Sequence, residues 1–573
     1  MKNLKRLLLA LLITAPFVLY SPFAFAVTIT INNVDDPNEG FNDPTPAAPI
    51  GGNTGTTVGQ QRLNVFTEAA TIWGATLTSN VDIVVQSTFQ DRGFTPCTST
   101  GAVLGAAGTI QIFSDFPNAE WPNTWYHSGL ANKLADTDLT PGPPDPGFLL
   151  PPFNDDIIAF FNEHLGEPGC LDGTTWYYGL DNNAPAGTID LLNVLLHELG
   201  HGLGFANFIT ESTGSGPLSL PDIYTVFTKD NTTQKQWNQM TDRERAASTV
   251  NTNNVVWNGP TVVEDAPFLL QFPNNLIISD PAPIAGEVEM GPASFGPPAT
   301  PANFSGEVVL ADDGTAPNPN DGCEAITTDL TGVIGLVDRG NCDFVVKAAN
   351  AQAAGATGLI IANTLGRGAF TPGGTDPSIT IPVIGISEED GQKIKDNLPG
   401  VEVFLQTDFA HRAGADEDNN VLLYAPNPVE PGSSISHWDV SALPNLIMEP
   451  FINSDLEGAT DLDLTPSQLT DIGWDAGPHC PVTSDQSSTV VINGCDSGVA
   501  NDFGPFTVFP KPRKGPNRGN VAGGCTVADV LNACITPASG NFNSCITRVT
   551  KALARAGIIT NEERKDIKQC ANQ

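Results

Sequence analysis

The stretch HELGHGLGFAN, from His197 to Asn207, decides how the rest of the chain is interpreted. On a helix, residues four apart lie on one face, so His197 and His201 can direct imidazole nitrogens at one ion. Zinc accepts such ligands, and a catalytic zinc site holds three protein ligands and a water. Glu198 is placed to accept a proton from that water, and Gly204 permits a sharp turn off the helix. The motif predicts a catalytic zinc site whose third ligand lies elsewhere.

The chain offers several groups that could supply this third ligand. Asn207 stands where a compact motif often carries a third histidine, but a neutral amide oxygen is a poor zinc ligand. His411 lies in the acidic run HRAGADEDNN, and His479 begins the cysteine-rich end of the chain. His437 lies in SISHWDVSALPNLIMEP, eleven residues before Met448. A downstream glutamate is a further alternative, although it leaves this last block unexplained.

The first 26 residues have the composition of a secretory signal peptide. Lys2, Lys5 and Arg6 form a basic start, an apolar stretch follows, and Ala-Phe-Ala at 24–26 is a small-x-small cleavage site. A retained membrane anchor is the weaker interpretation, because prolines interrupt a stretch that is already short for a span. We expect residues 1–26 to be removed and the mature protein to be secreted.

Composition restricts the partners of the mature protein. The formal net charge of the full chain is −38, and loss of the three signal-peptide cations gives −38 − 3 = −41. This charge repels phosphate backbones and anionic lipid, so nucleic-acid and membrane-surface partners are not expected. No later stretch is apolar enough for stable membrane insertion. The acidity could supply calcium-binding loops, but neither an EF-hand loop nor a nonapeptide repeat occurs. Oligomeric state is not indicated by the sequence.

The apolar pattern divides the chain after the signal peptide into four parts. Residues 27–275 alternate strand and helix patterns, which predicts an α/β sheet with the histidine helix packed on it. Residues 276–410 begin with a Pro/Gly-rich stretch and continue into a self-contained strand–helix–strand module. Residues 411–478 contain the SHW and IMEP blocks and are expected to return to the first domain. Residues 479–573 form a cysteine-rich C-terminal region with helical stretches.

Two local features of the first domain follow from this pattern. The histidine helix is predicted to run from about Ile189 to Leu203, with Asp190 in its first turn and Gly204 at its C-terminal cap. The segment GTIQIFSDF at 108–116 is predicted as one strand.

The cysteines predict disulfides. Ten cysteines, an even number in a chain expected to be exported, favour pairing, and no CxxC spacing favours metal binding by cysteine. They fall in local sets: Cys97 with Cys170, Cys323 with Cys342, Cys480 with Cys495, and Cys525, Cys534, Cys545 and Cys570. For the last four, Cys525–Cys570 with Cys534–Cys545 is one of three possible connectivities.

Two motif blocks together resemble one known family. The block HELGHGLGF, a long interruption, then SHW and the downstream IMEP are similar to the leishmanolysin-type metzincins. In that family an inserted segment separates the third histidine from the helix, and a methionine turn forms the floor under the zinc. The resemblance implies His197, His201 and His437 as zinc ligands, Glu198 as general base, and Met448 as the turn methionine.

The same resemblance sets the expected fold class. DLTPSQLTDIGW at 463–474 is similar to the closing helix of metzincin catalytic domains. Asn207 departs from the compact three-histidine motif, which argues against the matrixin or serralysin type. The resemblance implies an α/β (α+β) metzincin-like catalytic domain, followed by a small disulfide-rich, partly helical C-terminal module.

The inserted module has a resemblance of its own. GVIGLVDRGNCDFVVKAANAQAAGATGLIIAN and IPVIGIS, within residues 308–387, are similar to a protease-associated domain, a non-catalytic accessory α/β fold. The resemblance implies a disulfide between Cys323 and Cys342. Insertion between two neighbouring surface points costs little loop entropy. The module either gates or recruits substrate near the cleft or is an inert spacer.

These features predict a secreted zinc-dependent endopeptidase. Its partners are protein or peptide substrates, which would lie along an exposed edge strand and add a strand to the sheet. The alternative is a secreted binding or adhesion protein whose zinc site is vestigial or structural. Glu198 favours the enzyme, because a structural site needs no acid–base carboxylate at that position.

Overall fold

The computed structural model describes residues 26–89, 97–99, 101–139, 154–364, 368–374, 376–453, 455–476, 489–492, 495–501, 503–508, 522–532, 542–556 and 558–571. The expected signal peptide up to residue 25, together with His479, Cys480 and Cys534, lies outside the described residues. None of the helices within the described ranges is long and apolar enough to cross a membrane.

Strands and helices alternate along the segment before residue 271. The strands are β1 (Ile29–Asn33), β2 (Leu77–Thr78), β3 (Ile83–Thr88), β4 (Cys97–Thr98), β5 (Gly101–Ala102), β6 (Gly105–Thr109), β7 (Ile112–Phe113), β8 (Tyr126–His127), β9 (Ile157–Phe161), β10 (Thr175–Tyr177), β11 (Thr188–Asp190), β12 (Thr228–Asp230), β13 (Lys235–Gln236) and β14 (Val255–Trp257). The helices are α1 (Val58–Thr76), α2 (Ser128–Ala135), α3 (Leu191–Leu203), α4 (Ile223–Phe227), α5 (Asp242–Ser248) and α6 (Pro260–Leu269), with 3-10 turns at Gly40–Asn42, Pro217–Ser219 and Trp237–Gln239.

A four-stranded sheet supports the histidine helix α3. Its order is β1-β3-β9-β6, with β1, β3 and β9 parallel and β6 antiparallel at the edge. Inward-facing residues such as Ile83, Val85 and Ala159 are buried beneath α1 and α3. An edge strand next to α3 leaves one row of its backbone groups without a partner strand.

The segment 108–116 is not the single strand predicted. Strand β6 ends at Thr109, and β7 begins at Ile112 and pairs with β8 instead. The Thr109 hydroxyl donates to the Gln111 carbonyl at 2.7 Å, which bends the chain between the two strands. Apolar alternation alone could not reveal this side-chain hydrogen bond.

Residues after 413 return to the first segment and complete one core. The returning elements are β23 (Val421–Leu422), α9 (Thr465–Ile472) and β24 (Asp475–Ala476). One hydrophobic cluster joins residues of 27–270 with residues of 415–474. We refer to residues 26–270 and 413–476 as the main domain. Two buried indoles hold α3 from opposite segments: Trp73 donates to the Leu196 carbonyl and Trp474 to the Leu203 carbonyl.

The module between these segments has its own sheet. Its strands are β15 (Asn274–Asp280), β16 (Gly286–Val288), β17 (Met290–Pro292), β18 (Ser305–Leu310), β19 (Ile334–Asp338), β20 (Gly358–Ala362), β21 (Val383–Ile386) and β22 (Glu402–Thr407), and its helices are α7 (Phe344–Ala353) and α8 (Glu388–Lys395), with a 3-10 turn at Ala282–Ile284. The strand order is β16-β15-β22-β18-β19-β20-β21-β17, with β18 to β21 running parallel through the centre.

Both faces of this second sheet are buried. On β20, Ile360 belongs to one apolar cluster, and its neighbours Leu359 and Ile361 belong to another. Helix α8 contributes Ile394 to the first cluster, and α7 contributes Ala348 to the second. A central parallel strand covered on both faces explains why GLIIAN is a continuous apolar run.

The module leaves and re-enters the main domain at neighbouring points. The Ala413 N–H donates to the Gln271 carbonyl at 2.9 Å, and the ring centroids of Phe272 and Phe409 lie 5.1 Å apart. The Arg412 guanidinium lies 3.8 Å from the Phe272 ring centroid. The two connections therefore run side by side, and the insertion leaves the main core continuous.

The C-terminal region contains β25 (Thr489–Ile492), β26 (Cys495–Ala500), β27 (Phe503–Val508), β28 (Ala522–Thr526), α10 (Val527–Asn532), α11 (Phe542–Ala556) and α12 (Glu563–Ala571). A separate cluster including Val490, Leu531, Leu553 and Ile567 forms its core. These helices agree with the helical stretches predicted near the end of the chain.

Two of the local disulfide sets pair as predicted, and the C-terminal sets do not. Cys97 pairs with Cys170, and Cys323 with Cys342. Cys495 pairs with Cys570, with Cα atoms 5.4 Å apart, so the grouping of Cys495 with Cys480 is wrong, and none of the three possible connectivities within the last four cysteines is formed. Helix α12 folds back onto β26, which brings distant cysteines together, and nearness in sequence gives no signal of that return.

Candidate metal centre

Helix α3 carries the first two candidate ligands. It begins at Leu191, and Asp190 is its N-cap, accepting from the Leu192 N–H at 2.9 Å. This corrects the predicted start near Ile189 with Asp190 in the first turn, because the short carboxylate caps the helix more effectively from outside it. At the other end Gly204 has a φ of 139°, a backbone conformation that side-chain-bearing residues rarely adopt.

Three imidazoles meet at one point. The Nε2 atoms of His197 and His201 lie 3.1 Å apart, and each lies 3.2 Å from Nε2 of His437. Two nitrogens bound to one tetrahedral zinc at about 2.0–2.1 Å would lie about 3.3 Å apart. The observed triangle has that size.

The other ring nitrogens fix the tautomers. The Nδ1 atoms of His197, His201 and His437 lie 2.6, 2.8 and 2.8 Å from the carbonyls of Ile447, Phe205 and Ser433, respectively. A carbonyl can only accept, so each neutral ring carries its proton on Nδ1. All three Nε2 atoms then present lone pairs to the same point, which is repulsive unless a cation lies between them.

Burial keeps these rings neutral. It lowers the pKa of His201 to about 4 and that of His197 to about 3, and it lowers the pKa of His437 well below the ordinary value. For His197 and His437 the neighbouring histidines add to the effect of burial. Neutral imidazole is the form that binds a metal. The donor set therefore fits a nitrogen-binding divalent cation such as zinc.

Met448 lies against the histidine helix. A Cβ added to Gly200 would come within 2.7 Å of the Met448 sulfur, so the absence of a side chain at Gly200 lets the methionine pack there. Met448 is fully buried, and its carbonyl accepts from the Trp438 N–H at 2.9 Å. That hydrogen bond ties the methionine segment to the residue directly after His437.

Other candidate third ligands lie elsewhere. The Asn207 amide donates to the Ser436 hydroxyl at 2.9 Å and accepts from the Ile209 N–H at 2.8 Å, so both of its ends are engaged away from the imidazoles. His411 is partly exposed, and its Nδ1 lies 3.1 Å from the Asp408 carboxylate at the junction of the inserted module.

Glu198 is buried beside the imidazole cluster. Only 7% of its surface is exposed, and burial raises the pKa of its carboxyl to about 8, with a hydrogen bond from the Ala107 N–H acting in the opposite direction. Ala107 lies in the edge strand β6. The carboxyl group is therefore held between the histidine helix and the edge of the sheet.

Strand β6 turns alternate backbone groups toward this open edge. Leu104 accepts from the Asn162 N–H and Ile110 donates to the Asp156 carbonyl, so even-numbered residues face β9. In an antiparallel pair, the backbone N–H and C=O groups of the alternate, odd-numbered residues point away from the partner strand. Gly105, Ala107 and Thr109 thus direct their N–H and C=O groups to the side of Glu198.

Sequence reasoning missed the groups that orient the site. The carbonyls of Ile447, Phe205 and Ser433 hold the three rings, and a backbone carbonyl carries no mark in a sequence. Spacing offered a partial signal, because Phe205 follows His201 by four residues and Ser433 precedes His437 by four. Ser436, in the SHW block, holds Asn207 and could have been noticed as a partner for that amide.

Comparison with known proteins identifies one part of the chain. The family model described as "PA domain" matches residues 304–394. The protease-associated interpretation of the inserted module is therefore confirmed, and the chain contains a PA domain. We use that name for the inserted module from here.

Individual relatives match short stretches. Signal peptide peptidase-like 2 of Arabidopsis thaliana is 38% identical over 84 residues, which are 14% of this chain and 16% of that protein. Aminopeptidase YwaD of Bacillus subtilis (strain 168) is 39% identical over 84 residues, which are 14% of this chain and 18% of that protein. The chain thus spans less than a fifth of the length of these curated relatives.

Among solved structures, BSAP, a zinc aminopeptidase from Bacillus subtilis, aligns with 26% of this chain and 36% of its own chain. The identity is 24% and the TM-score is 0.19.

Proposed function

We propose that this protein is a secreted zinc-dependent endopeptidase with a leishmanolysin-like metzincin catalytic domain interrupted by its PA domain. The observation that carries the proposal is the convergence of three neutral imidazole nitrogens beside the buried carboxyl group of Glu198. Peptidases among the partial relatives support a peptidase role. The ligands are His197, His201 and His437.

Zinc held by these nitrogens would activate a water molecule and polarise the scissile carbonyl. The Glu198 carboxylate accepts the proton of that water and returns it to the leaving amine. The Ala107 N–H stabilises the ionised form of this carboxylate. A cation at the histidine cluster also favours the ionised carboxylate, which opposes the effect of burial on its pKa.

The substrate backbone lies along strand β6. The outward N–H and C=O groups of Gly105 and Thr109 offer hydrogen bonds to an extended peptide, as in other cases of strand addition. Ala107 between them binds the base, so a bound peptide passes close to Glu198. This arrangement recognises backbone rather than one side chain, which suits an endopeptidase.

The alternative function is a binding or adhesion protein with a structural or vestigial zinc site. Structural zinc sites are closed by four protein ligands, whereas three histidines within the described residues leave a coordination position open. The buried Glu198 beside that position favours catalysis.

A direct test uses the purified full chain, loaded with zinc, on casein and on N-terminally blocked peptides. We expect internal cleavage that a chelator abolishes and added zinc restores. Release of N-terminal residues from unblocked peptides alone would identify an aminopeptidase instead. No hydrolysis by zinc-loaded protein would support the binding-protein alternative.

A further inference from the structure

The PA domain contains a second cluster of side chains that could bind a metal, with carboxylate oxygens in place of the imidazole nitrogens of the first site. Asp313, Asp321 and Glu324 each offer a carboxylate oxygen, and these three atoms lie within 4.8 Å of one another. Asp313 and Asp321 are buried, with 6% and 5% of their surfaces exposed, while Glu324 is exposed to solvent. An ion could enter from that side.

One oxygen of this cluster has no partner. Asp313 Oδ1 accepts from the Thr315 N–H at 2.9 Å, whereas Asp313 Oδ2 is buried without a hydrogen bond from any described residue. A buried, unpaired carboxylate oxygen is costly, and native structures usually pair such a group with a donor or an ion. The unpaired oxygen is therefore a candidate ligand for a bound ion.

The hydrogen-bond donors to Asp321 are neutral groups and add no positive charge to the cluster. Its oxygens accept from the Cys323 N–H at 3.0 Å and the Asn341 amide at 2.6 Å, and one of them lies within 4.8 Å of an Asp313 carboxylate oxygen. Neither carboxylate has a proton to donate when ionised, so their approach is repulsive. A cation between them would turn this repulsion into shared coordination.

Lys347 does not neutralise the cluster. Its buried ammonium donates to the backbone carbonyls of Asp321 and Gly340, and no described lysine or arginine nitrogen lies within 4.0 Å of the three carboxylates. Three carboxylates and one nearby ammonium sum to −3 + 1 = −2. One divalent cation balances that charge.

We infer that Asp313, Asp321 and Glu324 form a calcium site in the PA domain. All three donors are oxygens, which calcium and magnesium prefer and zinc does not require. Magnesium usually keeps several waters and is bound through one or two protein carboxylates, whereas calcium takes more oxygen ligands from the protein. Three carboxylates of this chain converge here, which favours calcium. Glu324 lies next to Cys323 in the loop closed by the Cys323–Cys342 disulfide, and Asp321 lies two residues before that cysteine. The site does not depend on the proposed peptidase activity.

The test measures calcium binding to the full chain. The protein is first dialysed into calcium-free buffer that contains zinc, and it is then titrated with calcium chloride, with bound calcium measured by equilibrium dialysis with radioactive calcium. We expect Asp313→Asn and Glu324→Gln each to weaken one calcium site per chain by at least about tenfold. Glu389→Gln, an exposed carboxylate on α8 of the same domain, is the matched control and should bind as the wild type does. Identical isotherms for wild type and both cluster variants would overturn the inference.

Thermal unfolding separates a calcium ligand from a merely structural carboxylate. Without calcium, Asp313→Asn should be at least as stable as the wild type, because it removes a buried charge that lacks a partner. With calcium, the wild type should become the more stable protein. A variant that is less stable by the same amount with and without calcium would contradict the proposed site.

Discussion

The candidate zinc centre and the PA domain are built from the chain in opposite ways. Two ligands of the zinc centre lie on one helix, and the third comes 236 residues later, after the whole PA domain has intervened. The PA domain is one continuous run, from β15 at Asn274 to β22 at Thr407. The continuous domain can be recognised by a family model, whereas the zinc centre exists only once two distant segments have packed together.

The largest expected effect tests the distant half of the zinc centre. His437→Ala should weaken zinc binding by more than about 100-fold, since the loss of merely orienting partners already costs 10–100-fold. Proteolytic activity should fall with zinc content, measured by atomic absorption on dialysed protein. Asn207→Ala and His411→Ala are the controls and should keep their zinc. Zinc retention by His437→Ala would show that the two segments do not share a metal.

The next effect separates metal binding from proton transfer. Glu198→Gln should keep its zinc and lose peptidase activity by roughly 10²-fold or more, because the amide keeps the shape but cannot accept a proton. Glu389→Gln in the PA domain is the matched control and should retain full activity. Near-normal turnover by the Glu198 variant would remove this residue from the mechanism.

A third change should act on the PA domain alone. Replacing Cys323 and Cys342 together with serine opens a loop of 19 residues and should cost about 3 kcal/mol of that domain's stability. Calorimetry should show its unfolding transition move to lower temperature, while zinc content and low-temperature activity stay unchanged. Loss of zinc in this variant would mean that the two regions fold as one unit.

The smallest effect concerns the contact between the histidine helix and the returning segment. Gly200→Ala forces a Cβ against the Met448 sulfur and should cost about 1–3 kcal/mol in urea unfolding. Met448→Ala should relieve part of that cost, so the double variant should be more stable than the sum of the single effects implies. Additive effects would show that the contact does not couple the segments.

The local parts of the zinc centre could be predicted from the sequence, and the orienting parts could not. His197, Glu198 and His201 are related by helix spacing, which the sequence displays directly. His437 was reached through a resemblance of motif order, and the structure places its ring nitrogen against the other two. The carbonyls that hold these rings depend on tertiary packing, which no pattern of residue types encodes.

The fold shows the same division. The strands and helices of the PA domain follow its apolar runs, and both of its cysteines pair within it. In the C-terminal region Cys495 pairs with Cys570 because α12 returns to β26, and a grouping by nearness could not foresee that return. Segment 108–116 was misjudged because a single hydroxyl, that of Thr109, bends an otherwise strand-like pattern.

The PA domain, which is joined to the main domain through the connections at Phe272 and Phe409, separates the synthesis of His201 from that of His437. A ribosome adds about 5–20 residues per second, so the 236 residues between His201 and His437 take roughly 10–50 s to synthesise. During that interval the nascent chain carries a helix with two imidazoles and a glutamate but no complete set of ligands. The PA domain, being continuous, is fully synthesised before His437 is added. The insertion therefore delays completion of the ligand set, and the chain acquires the capacity to hold its metal only after the PA domain has been synthesised.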